Sequence, residues 1–545
     1  MQRLILPPPS SLSLMKSSSF LGIALMGSWM GDVYGSFTPK DMLSAPRSGP
    51  AIPNPNGTMA VYTESTYSFD NDSKSGGIYL LPIDKKSPSS KLIINDTNAS
   101  NPTWLDDRTI LYINTKSGES SLHSFDIESS DDHEIQSFPG PIGDLQVLPL
   151  KTNIRIAFSA KATPHGDILP AKESETPEVL VYDKLWVRHW DEWITPNKNS
   201  IFSTTLTLKN GKYTLDEDAR NILNSTEDAH DLESPVPPFG GAEDFSMTSN
   251  LLAFVAKDPH LNPATNTASH IYIVSFNDSQ YLEQVNRGPG ASSSPTWSPD
   301  GKSLAYLEMR VRGYESDRTS LINANSGRRI VVFKWETHEY SYLTEDWDLS
   351  PSSILWAKDG KSLYLTVEET GRIKLYHLPL DGKPKELVSE NSLSALYWAK
   401  NDLLLSQSSL TTPSIYQLYN THSKKLTQLR TTWPQSSPLS RKSVQEFWFK
   451  GFDNHPVHGF LHLPESFDRS RQYPLAFLIH GGPQGAWEDS WSTRWNPAVF
   501  ANAGDGWVVA AINPTGSTGY GQNFTDAIQG NWGTRPCILS FDWLM

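Results

Sequence analysis

The chain has 545 residues, 46 Lys and Arg against 60 Asp and Glu, and a formal charge of −14. That acidity repels nucleic-acid phosphates and anionic lipid, so neither nucleic acid nor membrane is an expected partner. The length allows two or more domains, and 37% apolar residues with 18 Trp supply large cores; the single cysteine, Cys537, excludes an intrachain disulfide framework and any Cys-x-x-Cys zinc or redox pair.

At the N-terminus, Lys16 precedes an apolar run from Phe20 to Met30, with small or permissive residues at Val33 and Gly35. The run is shorter than the roughly 20 residues a bilayer requires, and reads as a signal peptide spanning residues 1–35. Met15 is an alternative start, because Pro7-Pro8-Pro9 is foreign to such a leader. Asn56, Asn71, Asn95, Asn98, Asn224, Asn277 and Asn523 each sit in an Asn-x-Ser/Thr frame and are glycosylation candidates. Together these features lead to the expectation of a secreted, extracellular glycoprotein.

From residue 36 to 441 one pattern recurs. A turn carrying Asp, Asn or Gly leads into a short alternating strand, and a second strand follows. Asn54-Pro-Asn-Gly57, Trp104-Leu-Asp-Asp107, Trp297-Ser-Pro-Asp-Gly301, Trp356-Ala-Lys-Asp-Gly360 and Trp398-Ala-Lys-Asn-Asp402 are the turns. Asp-Gly suits a tight turn because Gly accepts positive φ. The second strands include Ile78–Asp84, Leu122–Asp126, Ile271–Val274, Leu375–Asp381 and Ile415–Leu418. Steps of 44 residues from Ile78 to Leu122 and 40 from Leu375 to Ile415 match one four-stranded blade per repeat. The span predicts an all-β β-propeller of about seven blades with a longer insertion around 160–245, in preference to a β-sandwich or a string of small β-domains. Trp297, Trp356 and Trp398 are assigned to blade cores.

After Arg441 the texture changes. Val444–Phe449, Val457–Leu463, Leu475–Ile479 and Trp507–Ile512 read as strands, and Leu475–Ile479 is apolar enough to expect burial on both faces. It ends in His480-Gly-Gly-Pro483. α/β-Hydrolases use such a strand-to-loop exit for half of the oxyanion hole, where a backbone N–H meets charge developing on a carbonyl oxygen.

Two runs make the likeness specific: Leu475–Gln484, and Ala510-Ala-Ile-Asn-Pro-Thr-Gly-Ser-Thr-Gly-Tyr-Gly521. With Val181–Asp183, Val187–Asp191 and Asp346–Pro351, they resemble the prolyl oligopeptidase family of serine peptidases, and within it the fungal secreted dipeptidyl-peptidase group. The resemblance runs from about Met42 to Gly533. It implies a serine-type dipeptidyl-peptidase that takes dipeptides from free peptide N-termini, with a propeller (36–441) restricting access to an α/β-hydrolase domain. Peptides are the implied partners and no cofactor or metal is expected; oligomeric state is left open.

The family places its nucleophile in Gly-x-Ser-x-Gly, followed by Asp and His. No Gly-x-Ser-x-Gly occurs in the 545 residues. The hydrolase part, 442–533, therefore reads as incomplete, and 534–545 as a divergent tail. The chain as written is expected to lack the triad and to be inactive, with a non-catalytic secreted propeller that binds peptides or a partner protein as the alternative. The segment after Arg441 is expected to be poorly ordered. Gly482 is the candidate oxyanion N–H donor. His480 is weighed as a triad base and assigned a shaping role. Ser517, which directly follows Gly516, does not fit the elbow and is a weak candidate for a surrogate nucleophile. Asp191 and Glu192 are candidates for pairing with a substrate ammonium, against the alternative of a solvated acidic loop.

Overall fold

The computed structural model describes residues 37–84, 88–173, 179, 181–183, 185–189, 192–224, 231–277, 280–286, 288–313, 329–432 and 439–536. Among the described residues seven antiparallel sheets follow one another along the chain, each built from one stretch of it, the third interrupted by a two-stranded ribbon. Blade 2 shows the plan: Ala99–Trp104, Thr109–Lys116, Glu119–Asp126 and Asp132–Phe138 pair in that order. The turns read from sequence are present. Gly301 and Gly360 take φ of 69° and 68°, and their N–H groups close turns onto Ser298 O and Ala357 O.

The cores lie between blades. Leu111, Ile113 and Leu122 of one blade pack with Ile156, Phe158 and Leu206 of the next. Equivalent clusters fill the six other junctions, including Ala60, Tyr62 and Leu81 against Leu404 and Tyr416, which joins the first blade to the last. Because each blade is made from one stretch of the chain, that last junction carries no shared strand. It is held by apolar packing, by Tyr416 Oη donating to Gly49 O (2.7 Å), by Ala51 N donating to Ser406 Oγ (3.0 Å) and by the Arg430–Glu64 ion pair (3.1 Å).

The tryptophans expected in blade cores form a second repeat. Trp104, Trp297 and Trp356 end the first strands of their blades, and Trp398 is the penultimate residue of its own. The indole N–H of Trp104 donates to Ile52 O (2.9 Å), that of Trp356 to Thr296 O (2.8 Å), and that of Trp398 to Trp356 O (2.8 Å). Each reaches back to the blade before it. Trp297 has the same place, but its buried N–H has no acceptor among the described residues.

Beyond the propeller, β1 (Val444–Lys450), β2 (Pro456–His462), β3 (Leu475–Ile479) and β4 (Val508–Asn513) form a sheet in the order β1-β2-β4-β3. β2 pairs antiparallel with β1 and with β4, whereas β3 and β4 are parallel. This segment is ordered, contrary to the sequence expectation, because it has its own core of Leu461, Leu463, Tyr473, Val508, Ala510 and Ile512. A second expectation is also corrected. The strand buried throughout is β4; β3 pairs on one side only, is half-buried, and leaves Ile479 67% exposed.

The sheet docks on one side of the propeller. The hairpin around Glu368–Arg372 and the turn around Ser408–Thr412 supply the contacts. Asp489 N donates to Gly371 O (2.7 Å), Leu410 N to Asp489 Oδ1 (3.0 Å) and Trp491 N to Ser408 Oγ (3.1 Å). Asp489 is 1% exposed, yet its charge is met by Arg441 at 2.8 Å and Arg372 at 3.6 Å. Arg372 also pairs with Glu446 of β1. The N-terminal helix, Pro39–Ser44, packs with the helix Pro497–Ala501 through Met42, Ala498 and Trp491.

Candidate active site

Two loops meet where the parallel strands β3 and β4 end. The first is His480-Gly-Gly-Pro-Gln-Gly-Ala-Trp487, and the second is Pro514-Thr-Gly-Ser-Thr-Gly-Tyr520. Asn513, the last residue of β4, ties them. Its Oδ1 accepts from Trp487 N (2.6 Å), while its Nδ2 donates to Trp487 O (3.0 Å) and to Tyr520 Oη (2.7 Å). Thr518 N donates to Gly485 O (3.0 Å).

Tyr520 passes the chain on to His458 of β2, whose Nδ1 lies 2.6 Å from its hydroxyl. Burial pushes the His458 pKa down to about 4, so the ring is neutral and accepts from Tyr520. Its Nε2 lies 3.5 Å from Glu446, and with a neutral ring this approach is not an ion pair. Burial alone pushes His462, four residues on, down to about 3. Burial also pushes the carboxyl of Glu488, beside Asp489, up to about 7.

Gly481 and Gly482 form the exposed face of the first loop. Gly482 has φ of 127°, in the region that favours glycine, and a Cβ there would stand 2.8 Å from Gln484 N. Neither the Gly481 nor the Gly482 N–H is engaged by an acceptor among the described residues. A backbone N–H that is fixed, exposed and unspent is what an oxyanion donor requires.

Behind this face lies a contact between two residues that sequence reasoning considered separately. His480 Nε2 is 2.8 Å from Ser517 Oγ, and His480 Nδ1 is 2.9 Å from Gly481 O. The pair has the spacing of a nucleophile and its base. Ser517, however, is fully buried, and a carbonyl rather than a carboxylate faces the other ring nitrogen. An attacking hydroxyl must reach substrate, and this one is walled in. The geometry agrees with the shaping role assigned to His480.

The remaining candidates scatter. Asp191 lies outside the described residues. Glu192 belongs to a short ribbon, Glu192–Trp193 paired with Val187–His189, but its side chain is outside the description. All seven sequon asparagines are exposed. Asn224 is the most crowded: its Nδ2 donates to His165 O (3.2 Å), close against Gly166. Sequence reasoning did not single out Asn513, Tyr520, His458, Glu368 or Asp489. Asn513 and Tyr520 stand inside the quoted Asn-Pro-Thr-Gly run, but their partners are set only by the folded sheet. Among the described residues no group of His, Cys, Asp or Glu is arranged to hold a metal ion, and no helix is long and apolar enough to cross a membrane.

Comparison with known proteins follows the same lines. Residues 491–537 match the model of the prolyl oligopeptidase family. Dipeptidyl-peptidase 5 of Aspergillus fumigatus is 36% identical over 535 residues, an alignment covering 92% of this chain and 71% of the relative. Dipeptidyl-peptidase 5 of Trichophyton schoenleinii is 36% identical over 527 residues, covering 92% and 70%. Among solved structures, the acylaminoacyl peptidase of Pyrococcus horikoshii superposes with a TM-score of 0.66 at 12% identity, covering 93% of this chain and 72% of that one. A puromycin-hydrolyzing peptidase of Mycobacterium tuberculosis gives 0.59 at 16% identity, covering 94% and 74%. At these identities the solved structures speak for the fold alone.

Proposed function

From a chain that belongs to the prolyl oligopeptidase family, and is by that kinship a dipeptidyl-peptidase of the serine type, we propose a secreted enzyme that removes dipeptides from free peptide N-termini and uses the Gly482 N–H as an oxyanion donor. The reaction breaks the C–N bond after the second residue. Water supplies the hydroxyl to the new carboxyl end and a proton to the departing amine. While the carbonyl carbon is tetrahedral, its oxygen carries negative charge, and an N–H already aimed at it stabilises that state without reorganisation.

The observation that carries this reading is the exposed Gly481–Gly482 face, with unspent N–H groups, at the carboxyl end of the parallel pair β3–β4. Ligands of open α/β sheets bind at such strand ends. The propeller supports restriction of access: its Glu368–Arg372 hairpin abuts the second loop, through Thr370 N donating to Gly519 O (3.0 Å). Secretion is supported by the apolar run Phe20–Met30 and by seven exposed sequons.

The test is hydrolysis of dipeptidyl 4-nitroanilides with free and with acetylated N-termini by the purified protein. These 545 residues hold no Gly-x-Ser-x-Gly, so the chain as written is expected to cleave neither substrate and to take no fluorophosphonate; release from the free form alone, and the kinetic effects stated below, are expected of a form of the protein that carries that motif. Cleavage of only the acetylated substrate overturns the dipeptidyl assignment, and no cleavage of either by that form, without fluorophosphonate labelling, favours the peptide-binding propeller. Gly482→Ala is expected to lower kcat by about 100-fold or more, the usual cost of one oxyanion donor. Protein recovered from culture medium is expected to gain mobility after endoglycosidase treatment; an unchanged band removes glycosylation from the reading.

A further inference from the structure

The oxyanion donor is one half of a peptide unit, and the other half is held. Gly481 C=O and Gly482 N–H belong to the same peptide, which is trans. In a trans peptide the two groups point in opposite directions. Whatever fixes the carbonyl therefore aims the N–H. The group facing that carbonyl is His480 Nδ1, at 2.9 Å.

The proton count then settles the ring. Burial pushes the His480 pKa down, which leaves the ring neutral with a single N–H. A carbonyl only accepts, so that N–H is on Nδ1, and Nε2 is left as an acceptor. Ser517 Oγ lies 2.8 Å from Nε2 and has one proton to give. It also lies 2.7 Å from Pro514 O, a carbonyl with room for a second donor beside Ser517 N at 3.0 Å, so the hydroxyl proton is shared between that oxygen and Nε2, and the tautomer is fixed by the Gly481 carbonyl facing Nδ1. The opposite tautomer would set the Nδ1 lone pair against the lone pairs of Gly481 O. One directed chain satisfies the groups: Ser517 O–H to His480 Nε2, His480 Nδ1–H to Gly481 O, and the Gly482 N–H outward. Linked hydrogen bonds polarise one another, so the chain also makes the last N–H a better donor.

We propose that Ser517 is a positioning residue for the oxyanion loop, fixing the orientation of His480 and through it the peptide that presents the Gly482 N–H. This rests on the oxyanion reading of Gly482. Ser517 is itself fixed from several sides. Thr525 Oγ1 donates to its carbonyl (3.0 Å). The next two residues are held by the propeller, Thr518 Oγ1 donating to Glu368 Oε1 (2.8 Å) and Gly519 O accepting from Thr370 N (3.0 Å). The propeller hairpin thus holds the two residues that follow Ser517. The hydroxyl is fully buried, so its role is not attack on substrate.

The test combines the imidazole ¹⁵N signals of the histidine-labelled protein, His480 being assigned by its loss in His480→Ala, with kinetics of a form that carries the family's Gly-x-Ser-x-Gly. In the unchanged protein His480 is expected to be protonated on Nδ1 and bare on Nε2. Ser517→Ala removes a bond made only to the neutral ring, so the His480 pKa should rise. Its kcat is expected to fall about tenfold at unchanged KM, a loss made only in the transition state. His480→Ala should cost as much or more, and the double variant no more than His480→Ala, because both act through one contact. Should Ser517→Ala not fold, Ser517→Cys keeps the size with a weak donor and is expected to give intermediate values. A loss in His480→Ala with unchanged kcat and ring signals in Ser517→Ala overturns this proposal and leaves Gly482 standing. Unchanged kcat in both variants, with the ring signals moving as stated, overturns the Gly482 reading and this role with it. Fluorophosphonate labelling of Ser517 overturns the positioning role in favour of a nucleophile.

Discussion

The propeller and the sheet that follows it are stabilised in opposite ways. In the propeller, every junction between blades repeats one solution: an apolar cluster from two neighbours, in four blades with a tryptophan at or next to the end of the first strand. In the β1–β4 sheet the apolar core is small, and the polar groups do more. Asp489, His458, His462, Asn513 and Ser517 are buried, and each except His462 is tied to a partner on another segment. Repetition spreads stability over many equivalent contacts, as in other repeat architectures. A buried polar network concentrates it in a few positions, where the loss of one partner strands the others.

The largest effect should follow from breaking that concentration at Asp489. Asp489→Ala strands the buried Leu410 N and takes one partner from half-exposed Arg441 and from Arg372, which keep Asn391 and Glu446, and leaving a buried donor unsatisfied costs about 1–3 kcal/mol. Urea unfolding should show the β1–β4 segment melting ahead of the propeller, with early proteolytic cuts after Arg441. Simultaneous melting would mean that the two regions are one cooperative unit.

The acid side separates the regions further. His458 and His462 have folded pKa values of about 4 and about 3, below the ordinary 6.5. The unfolded chain therefore binds protons first as pH falls. Their neutral burial costs nothing above about pH 6.5, and stability is lost progressively from there down to about pH 3. The loss is on the order of a few kcal/mol. Glu488 works in reverse. Its folded pKa of about 7 lies above the ordinary 4.5, so the folded state holds a proton the unfolded state releases, and stability falls as pH rises from 4.5 to 7. The two histidines outweigh the one carboxyl where the ranges overlap, so urea midpoints of the β1–β4 segment are expected to rise from about pH 3 and level off near pH 7. Glu488→Gln removes the opposing slope and should steepen the rise between about pH 4.5 and 7; an unaltered profile would show that this carboxyl ionises freely in the fold.

The same contrast explains what the sequence disclosed. The blades were legible because second strands recur at steps of 40 and 44 residues and a turn, in four blades with a tryptophan, marks the start of others, and such a pattern survives without knowledge of contacts. The strands β1–β4 were legible as apolar runs, and His480-Gly-Gly-Pro483 by its place at the end of one. Burial of β3 was misjudged because an apolar run shows what a strand tolerates, whereas its neighbours decide what it meets. The Ser517–His480 contact was illegible for a different reason. The two residues are 37 apart, and they meet only because β3 and β4 lie parallel and adjacent, so that both loops leave the sheet at one end. Asp489 was hidden for the same reason, since its partners come from the propeller.

The smallest effect tests the repeat itself, through a difference in sign. Trp398→Phe keeps an aromatic ring and deletes the N–H that reaches Trp356 O, so a carbonyl at the junction between blades loses its partner. Such a loss costs about 1 kcal/mol. Trp297→Phe deletes an N–H that is buried with no acceptor among the described residues, so the removed group was a cost in the folded state. That variant loses some ring packing against Trp335 and regains the desolvation of an unpaired donor, and should come out near neutral or slightly stabilised. Thermal melts of the two variants, side by side, decide the matter. Equal destabilisation would mean that the ring alone holds the blades and the indole bonds are incidental. Opposite or clearly unequal shifts would show that the bond between successive blades is part of what the repeated tryptophan is for, and that the blade carrying Trp297 holds its neighbour by packing and by other bonds, Tyr340 Oη to Val285 O and Ser269 Oγ to Ser292 O among them.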